Sequence, residues 1–523
     1  MKATNRRVFL AQTAAVAAAA ATGAAALPSA ASAWAGGPAS VGSGAYVRPR
    51  PEALADPTEL TLAEAAWMIR YGKLSPAELV EVHLARISTF DGVYQAFNTV
   101  LAAEARAAAK AAGKKRPAGP LHGIPLAIKD NYWTAGVRTT ANSYLFQDFV
   151  PPYDATPVAR LKANGAIVLG KTQMGPLATT RATTPDGRIT TVNAWTPTNP
   201  ATDPGGSSTG TATSVAGRMA VAGTGTQTGG SIIAPSNAQN LTGLKPTMGR
   251  VSLAGIIPLS YTRDHPGPLA RDAVDAAIML TAMAGEDPAD PRTQGLPRVP
   301  DLVEAATPVY SRGRLRARWS TRVGVLPGYA TGDATRQAFL SAVDGIDGVR
   351  LVDVPFPDQW DLLTGNEFNN VRLPERSEPF MPYLRKDLRG FGVSVTGWLQ
   401  GALLGANEFI TGQRAKLLLL ERVLDQIFEH CDVVVQTSPV PFDILGLPEI
   451  GFPIGFTAAS VPIGTILGGA PYEEDRLLSV VAAYQAITDW HWRRPADPPA
   501  VRALAATGDR GRLTAEDVAS QSQ

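Results

Sequence analysis

Several resources on which a function could be built are scarce in this chain. Its 523 residues include one cysteine, Cys431, so an intramolecular disulfide framework is excluded. Cys431 opens the apolar run to Gln436 and reads as a small buried residue rather than a nucleophile. The five histidines, His83, His122, His265, His430 and His491, show no HExxH spacing, and without a cysteine pair no zinc signature exists. No metal or other cofactor is therefore expected. Charge is sparse as well: 18% of residues are charged and the formal net charge is +2. Lys2, Arg6 and Arg7 lie in a segment that reads as removable, and without those three the balance becomes −1. No basic footprint for nucleic acid or an anionic membrane survives, so neither is expected as a partner.

The one long uncharged stretch is alanine-rich, runs to about Ala26, and follows Asn5-Arg6-Arg7-Val8-Phe9-Leu10. It leads to Ala31-Ser32-Ala33, a small-x-small triplet suited to cleavage after Ala33. The adjacent arginines and the Phe-Leu after them resemble a twin-arginine export signal. A membrane anchor would end in a charged stop, and this stretch ends in small residues. Residues 1–33 are expected to be a signal peptide, 34–57 a flexible Gly/Pro/Ser-rich lead-in, 58–495 the folded body and 496–523 a C-terminal tail. The expected location is outside the cytoplasm.

Two helix starts are written as capping boxes, Thr61-Leu-Ala-Glu64 and Ser75-Pro-Ala-Glu78. Short apolar runs at Ile124 to Ile128, Ala166 to Leu169, Arg322 to Leu326 and Cys431 to Gln436 alternate with helical patterns and read as strands buried on both faces. That alternation predicts an α/β sheet covered by helices on both sides. Length alone allows two or three domains, with residues 285 to 320 the one stretch that resembles a boundary.

What is plentiful is serine bracketed by glycine. Ser207 lies in Pro204-Gly-Gly-Ser-Ser-Thr-Gly210 and Ser231, 24 residues on, in Gly229-Gly-Ser-Ile232. Such brackets let a backbone expose a hydroxyl and aim N–H groups at a reacting oxygen, the signature of a serine hydrolase. A helix over Ser208 to Val221 would run about 21 Å out. An extended return from Gly223 to Gly229 would cover about 23 Å back, so the two serines can face each other. The nearest histidine in sequence is His265, which leaves the activating base open. Gly206-Ser-Ser-Thr-Gly210 also fits a nucleophile elbow with Ser208 as nucleophile, and Gly165 to Thr172 fits a P-loop letter for letter. The latter is an apolar strand, whereas a phosphate cradle follows a strand and needs flexible backbone.

Several motifs taken together resemble the amidase signature family: Gly206-Ser-Ser-x-Gly210, Gly225-Thr-x-Thr-Gly-Gly-Ser-Ile232, Gly243-Leu-Lys-Pro-Thr247 and Gly123-Ile-Pro-Leu-Ala-Ile-Lys-Asp130. Ala166 to Thr172, Pro266 to Arg271 and Gly446 to Gly455 extend the likeness over roughly 55 to 490. The resemblance implies one large α/β/α domain around a mixed sheet, in place of several domains. It implies Ser231 as acyl-accepting nucleophile, Ser207 as a bridging serine on a cis peptide after Gly206, and Lys129 as the base. It also implies an oxyanion hole at Thr228, Gly229 and Gly230. A neutral lysine can serve if burial lowers its pKa from about 10.4 towards 7 or 8. Lys171 and Lys245 are rival bases within family motifs and read as structural.

Departures from the pattern bear on specificity. Gln227 stands where the family usually has Asp or Glu, and Ile233 where it often has Arg; Thr209 replaces a glycine, and Gly175-Pro176-Leu177 a segment often ending in Glu-Phe. The expected activity is hydrolysis of a small-molecule or peptide carboxamide by a monomer or homodimer, with no cofactor. Residues 255 to 271 look somewhat like bacterial peptide amidases, and Tyr310, Trp360, Phe368 and Trp398 are candidate pocket aromatics. The alternatives are an amidotransferase subunit of the same family and a secreted, catalytically inactive binding protein on this scaffold.

Overall fold

The structure, a computed structural model of the chain, describes residues 5–13, 43–370, 372–499 and 510–521. Both capping boxes form. Helix α1 (Leu62–Arg70) starts where Thr61 Oγ1 accepts from the Glu64 N–H and Glu64 accepts from the Thr61 N–H, at 3.2 and 3.0 Å. Helix α2 (Pro76–Tyr94) repeats the device with Ser75 and Glu78 and has proline at its first position.

The spine is a mixed sheet of twelve strands: β1 (Phe97–Val100), β2 (Pro125–Lys129), β3 (Ile167–Thr172), β4 (Ala222–Gln227), β5 (Thr242–Lys245), β6 (His265–Ala270), β7 (Val309–Ser311), β8 (Arg314–Val325), β9 (Asp347–Asp353), β10 (Val433–Gln436), β11 (Glu449–Phe456) and β12 (Pro462–Gly469). Their order is β1-β3-β2-β4-β6-β5-β11-β12-β10-β8-β7, with β9 beside β8. The β3-β2-β4 and β10-β8-β9 pairings are parallel and the rest antiparallel. All four strands read from apolar runs are present; the bounds differ by one or two residues in β2 and β10 and by up to three in β3, and β8 begins eight residues before Arg322. The sheet covered by helices on both faces is as the sequence pattern predicts, and the single α/β domain is as the family resemblance implies.

Side-chain alternation sorts residues between the two faces. Leu126 and Ile128 join a core built with helices α5 (Ala273–Met283) and α7 (Glu474–Ile487), whereas Ala127 joins the opposite core with α3 (Thr209–Ala216). Lys129, two residues on from Ala127, thereby follows it to the α3 side. The helix after Ser208 is shorter than the sequence suggests. It spans eight residues and stops at Gly217, whose N–H bonds back to Thr213 O at 2.8 Å, and a turn delivers the chain to β4. The short helix α4 (Ile233–Ala238) then leads away from Ser231 over β11 and β12.

Residues 43–57 pack against the body: Ala45 and Ala53 are buried, and Arg50 donates to Glu64 at 2.9 Å while stacking over Trp492. The tail also packs, with Arg510 donating to Val93 O at 2.8 Å and the helix Ala515–Gln521 following. The pocket aromatics do not act together: Trp398, on α6 (Val395–Leu403), is fully buried between Phe380 and Phe391, while Tyr310 is 64% exposed on β7. Trp360 and Phe368 flank a separate core cluster. Of the expected signal, residues 5–13 are helical, with Phe9 buried against Tyr472 and Arg6 paired with Asp425. The Ala33 cleavage site lies outside the described residues.

Because Trp398 packs as core, Trp398→Ala is expected to cost about 3–5 kcal/mol of unfolding free energy. Chemical denaturation checks this; a change in substrate affinity with stability intact would place the ring in a pocket instead.

Candidate active site

Lys129 ends β2 at the point where β4 carries alternating threonines. Its backbone N–H donates to Thr224 Oγ1 at 3.1 Å, and its Nζ lies 2.8 Å from Thr226 Oγ1 and 3.2 Å from Thr226 O. Ser207 Oγ and Ser208 Oγ complete the shell at 2.8 and 3.0 Å. The side chain is fully buried with no carboxylate in its shell. Burial pulls the ammonium well below the usual lysine range, opposed only by the more remote charge of Asp264.

Ser207 follows a cis Gly206–Ser207 peptide and is 1% exposed. The adjacent Ser208 Oγ donates to the Ser231 carbonyl at 2.6 Å, which ties the two serine segments together. That contact requires β4 to be bare at Gly225, where a Cβ would come within 2.9 Å of Ser208 Oγ. Ser231 is half-buried, between exposed Gly229 and buried Gly230 on one side and buried Ile232 on the other. Gly230 has φ 105°, a conformation that disfavours other residues, and a Cβ there would also meet Pro439 at 3.2 Å. Among the described residues, the N–H groups of Gly229, Gly230 and Ser231 have no hydrogen-bond acceptor, which leaves them free to donate to a ligand. Thr228 is fixed by its hydroxyl, which donates to Asp264 at 2.5 Å; Asp264 also accepts from Leu259 and Ser260 N–H.

The structure thus brings Lys129, Ser207, Ser231, Thr228, Gly229 and Gly230 to one place. It disposes of the rivals. Ser208 is buried and committed to the Ser231 carbonyl, and His83, His122 and His265 bond to backbone carbonyls of Arg218, Ala112 and Arg263. Lys171 donates to Tyr132 O and Thr139 and pairs with Asp130 at 3.2 Å. Lys245, pulled down to about 8 by burial, lies 4.0 Å from Glu449. Gly165 to Thr172 is strand rather than phosphate cradle. Among the described residues no cluster of His, Cys, Asp or Glu could hold a metal, and no helix is long and apolar enough to cross a membrane.

Sequence reasoning missed Thr226 and Asn131, whose Nδ2 donates to Thr226 Oγ1 at 3.1 Å, although Thr226 sits within a motif already singled out. It also missed the wall beyond Gly229. There Asp443, 3.7 Å from where a Gly229 Cβ would sit, accepts from Arg263 at 2.8 Å. Arg372 lies near them, pulled down to about 8 by burial and by the neighbouring Arg263 and Arg376.

A family pattern described as Amidase matches residues 78–436, and the chain belongs to that family of amide hydrolases. It is 36% identical over 493 residues to a glutamyl-tRNA(Gln) amidotransferase subunit from Roseiflexus sp. (strain RS-1), covering 84% of this chain and 98% of that one. The native peptide amidase from Stenotrophomonas maltophilia superposes with a TM-score of 0.71 at 26% identity, covering 84% of this chain and 98% of its own. A 6-aminohexanoate cyclic dimer hydrolase shares the fold with a TM-score of 0.71 at 22% identity, covering 84% of this chain and 99% of its own.

Thr226→Val keeps the shape beside Lys129 but removes the hydroxyl and orphans Asn131. A loss near 1 kcal/mol, roughly fivefold in kcat, is expected. Steady-state turnover of an anilide checks it, and an unchanged kcat would remove Thr226 from the site.

Proposed function

We propose that the protein is a secreted amidase that cleaves a carboxamide through an acyl-enzyme on Ser231. The observation that carries this reading is a fully buried lysine amine 2.8 Å from Ser207 Oγ, next to the serine segment that holds Ser231. A neutral amine has two N–H bonds and one lone pair. Thr226 O can only accept, and Ser208 Oγ spends its proton on the Ser231 carbonyl, so these two take the N–H bonds. The lone pair is left for a hydroxyl proton, and of the two hydroxyls at 2.8 Å, Ser207 and Thr226, Ser207 is the one on the segment that Ser208 ties to Ser231.

The steps follow from that count. Ser207 passes its proton to Lys129 and receives the one from Ser231, whose Oγ attacks the amide carbon. The carbonyl oxygen gathers negative charge in front of the Thr228, Gly229 and Gly230 N–H groups; losing one such donor commonly costs about 2.7–4 kcal/mol. The proton returns through Ser207 to the nitrogen, the C–N bond breaks and an amine leaves. Water then repeats the sequence on the acyl-enzyme and releases a carboxylic acid. No cofactor enters.

The N-terminal Arg6-Arg7 segment and its alanine-rich continuation support export by the twin-arginine route. Likeness to a peptide amidase favours amides of peptide character as substrates. Identity of 36% with an amidotransferase subunit favours a second reading, ammonia release within a complex, against which the export segment weighs.

A fluorophosphonate probe should label the folded protein stoichiometrically at Ser231, and Lys129→Ala should abolish labelling near neutral pH. Absence of labelling would leave an inactive binding protein. The sign of the pH dependence is fixed as well: protonated Lys129 cannot accept, so kcat/KM should fall towards acid with its inflection below the usual lysine range. A profile inflecting near pH ~10 would mean an ordinary, solvated lysine.

A further inference from the structure

Behind the nucleophile lies a buried polar pair that the steps above do not use. Gln227, the last residue of β4, accepts through Oε1 from the N–H groups of Ile232 and Ile233, each at 3.0 Å. Its Nε2 donates to Glu449 Oε2 on β11 at 2.9 Å. Both side chains are fully buried. The two N–H groups are those directly after Ser231, so one amide oxygen holds the backbone on which the nucleophile turns.

A side-chain amide has an accepting end and a donating end. Two backbone donors face it from one side, and a flipped amide would set donors against donors. Glu449 faces the other end and accepts, which makes the observed orientation the only satisfied one. Glu449 is held in turn: it is the cross-strand partner of Lys245, whose Nζ lies 4.0 Å away. Burial keeps the Glu449 carboxyl well above the usual carboxylate range, so it can carry a proton where a second carboxylate would require one.

We propose that Gln227 is a positioning residue for Ser231 and that Glu449 is its orienting partner, the two together replacing the single carboxylate usual at position 227 in this family. The proposal rests on the reading of Ser231 as nucleophile. The acid sits on β11, with β6 and β5 between it and β4 in the strand order, and the amide supplies the acceptor the loop still needs. Because the side-chain hydrogen bonds of Gln227 go to two backbone N–H groups and Glu449, its effect on the reaction passes through the placement of Ser231 and of the Gly229 and Gly230 donors.

Exchange of the two side chains tests this on the full-length protein, read by the rate of fluorophosphonate labelling at Ser231 and by kcat and KM for an anilide. Gln227→Met fills the same space without an acceptor. It should slow labelling and kcat by about 30-fold or more with KM within about threefold, since small misplacements of reacting groups are costly. Gln227→Glu should stay within about fivefold of the parent, because a carboxylate accepts both N–H groups and a protonated Glu449 can donate to it. The exchange Gln227→Glu with Glu449→Gln restores an acceptor and a donor across the pair and should also stay within about fivefold. Parental rates in Gln227→Met, or an exchange variant as slow as Gln227→Met, would overturn the proposal. If Gln227→Met does not fold, the exchange variant decides alone. A folded parent that is never labelled overturns the nucleophile reading and this one with it, whereas a labelled parent with an unaffected Gln227→Met overturns only this one.

Discussion

Removal of water from one amine is the constraint on which the site depends. A lysine ending a strand is ordinarily a solvated tip, charged at neutral pH and useless as a base. Here the strand end is roofed by two serine segments and flanked by β4, so Lys129 meets hydroxyls and a carbonyl and no carboxylate. Without an anion at contact distance the ammonium form loses its solvation and gains little in return, and the neutral form is favoured. The contrast with Lys171 is instructive. It is as deeply buried but pairs with Asp130 at 3.2 Å, an arrangement that ties β3 to the loop after β2.

Sheet register explains how the parts meet. The parallel β3-β2-β4 arrangement brings the ends of β2 and β4 to one edge, and alternation sends Lys129 to the face that α3 covers. Glycines at 225 and 230 let the serine segments approach where a side chain would intrude. The Ser231 segment is held from three directions: Ser208 on its carbonyl, Gln227 on the two N–H groups after it, and Asp264 on Thr228 before it. Each tether comes from a different element, so the sheet as a whole sets the geometry of the loop.

Much of this was legible in the chain because it is local. Capping boxes declare themselves within four residues, and apolar runs locate β2, β3 and β10 to within three residues, though not the start of β8. The serine motifs and the strand ending in Lys129, read together, name residues that the fold brings to one place. What escaped is set by residues far apart. Gln227 reads from sequence as a lost charge, and its partner Glu449 lies 222 positions away. The expected helix is longer because residues compatible with a helix, Arg218 to Val221, continue past Gly217, where the chain turns. Trp398 and Tyr310 looked alike as pocket aromatics, yet one is core and the other is exposed on a strand, a distinction made by packing alone.

The account stands or falls on the charge of Lys129 at rest. Carbon-13 labelling of the lysine ε-carbons, with Lys129→Arg used to assign the signal, reads that charge directly by NMR titration of the folded protein. The account predicts that Lys129 titrates well below the solvated lysines near ~10.4 and is largely neutral where the enzyme is active. A Lys129 signal that titrates together with the surface lysines would contradict it.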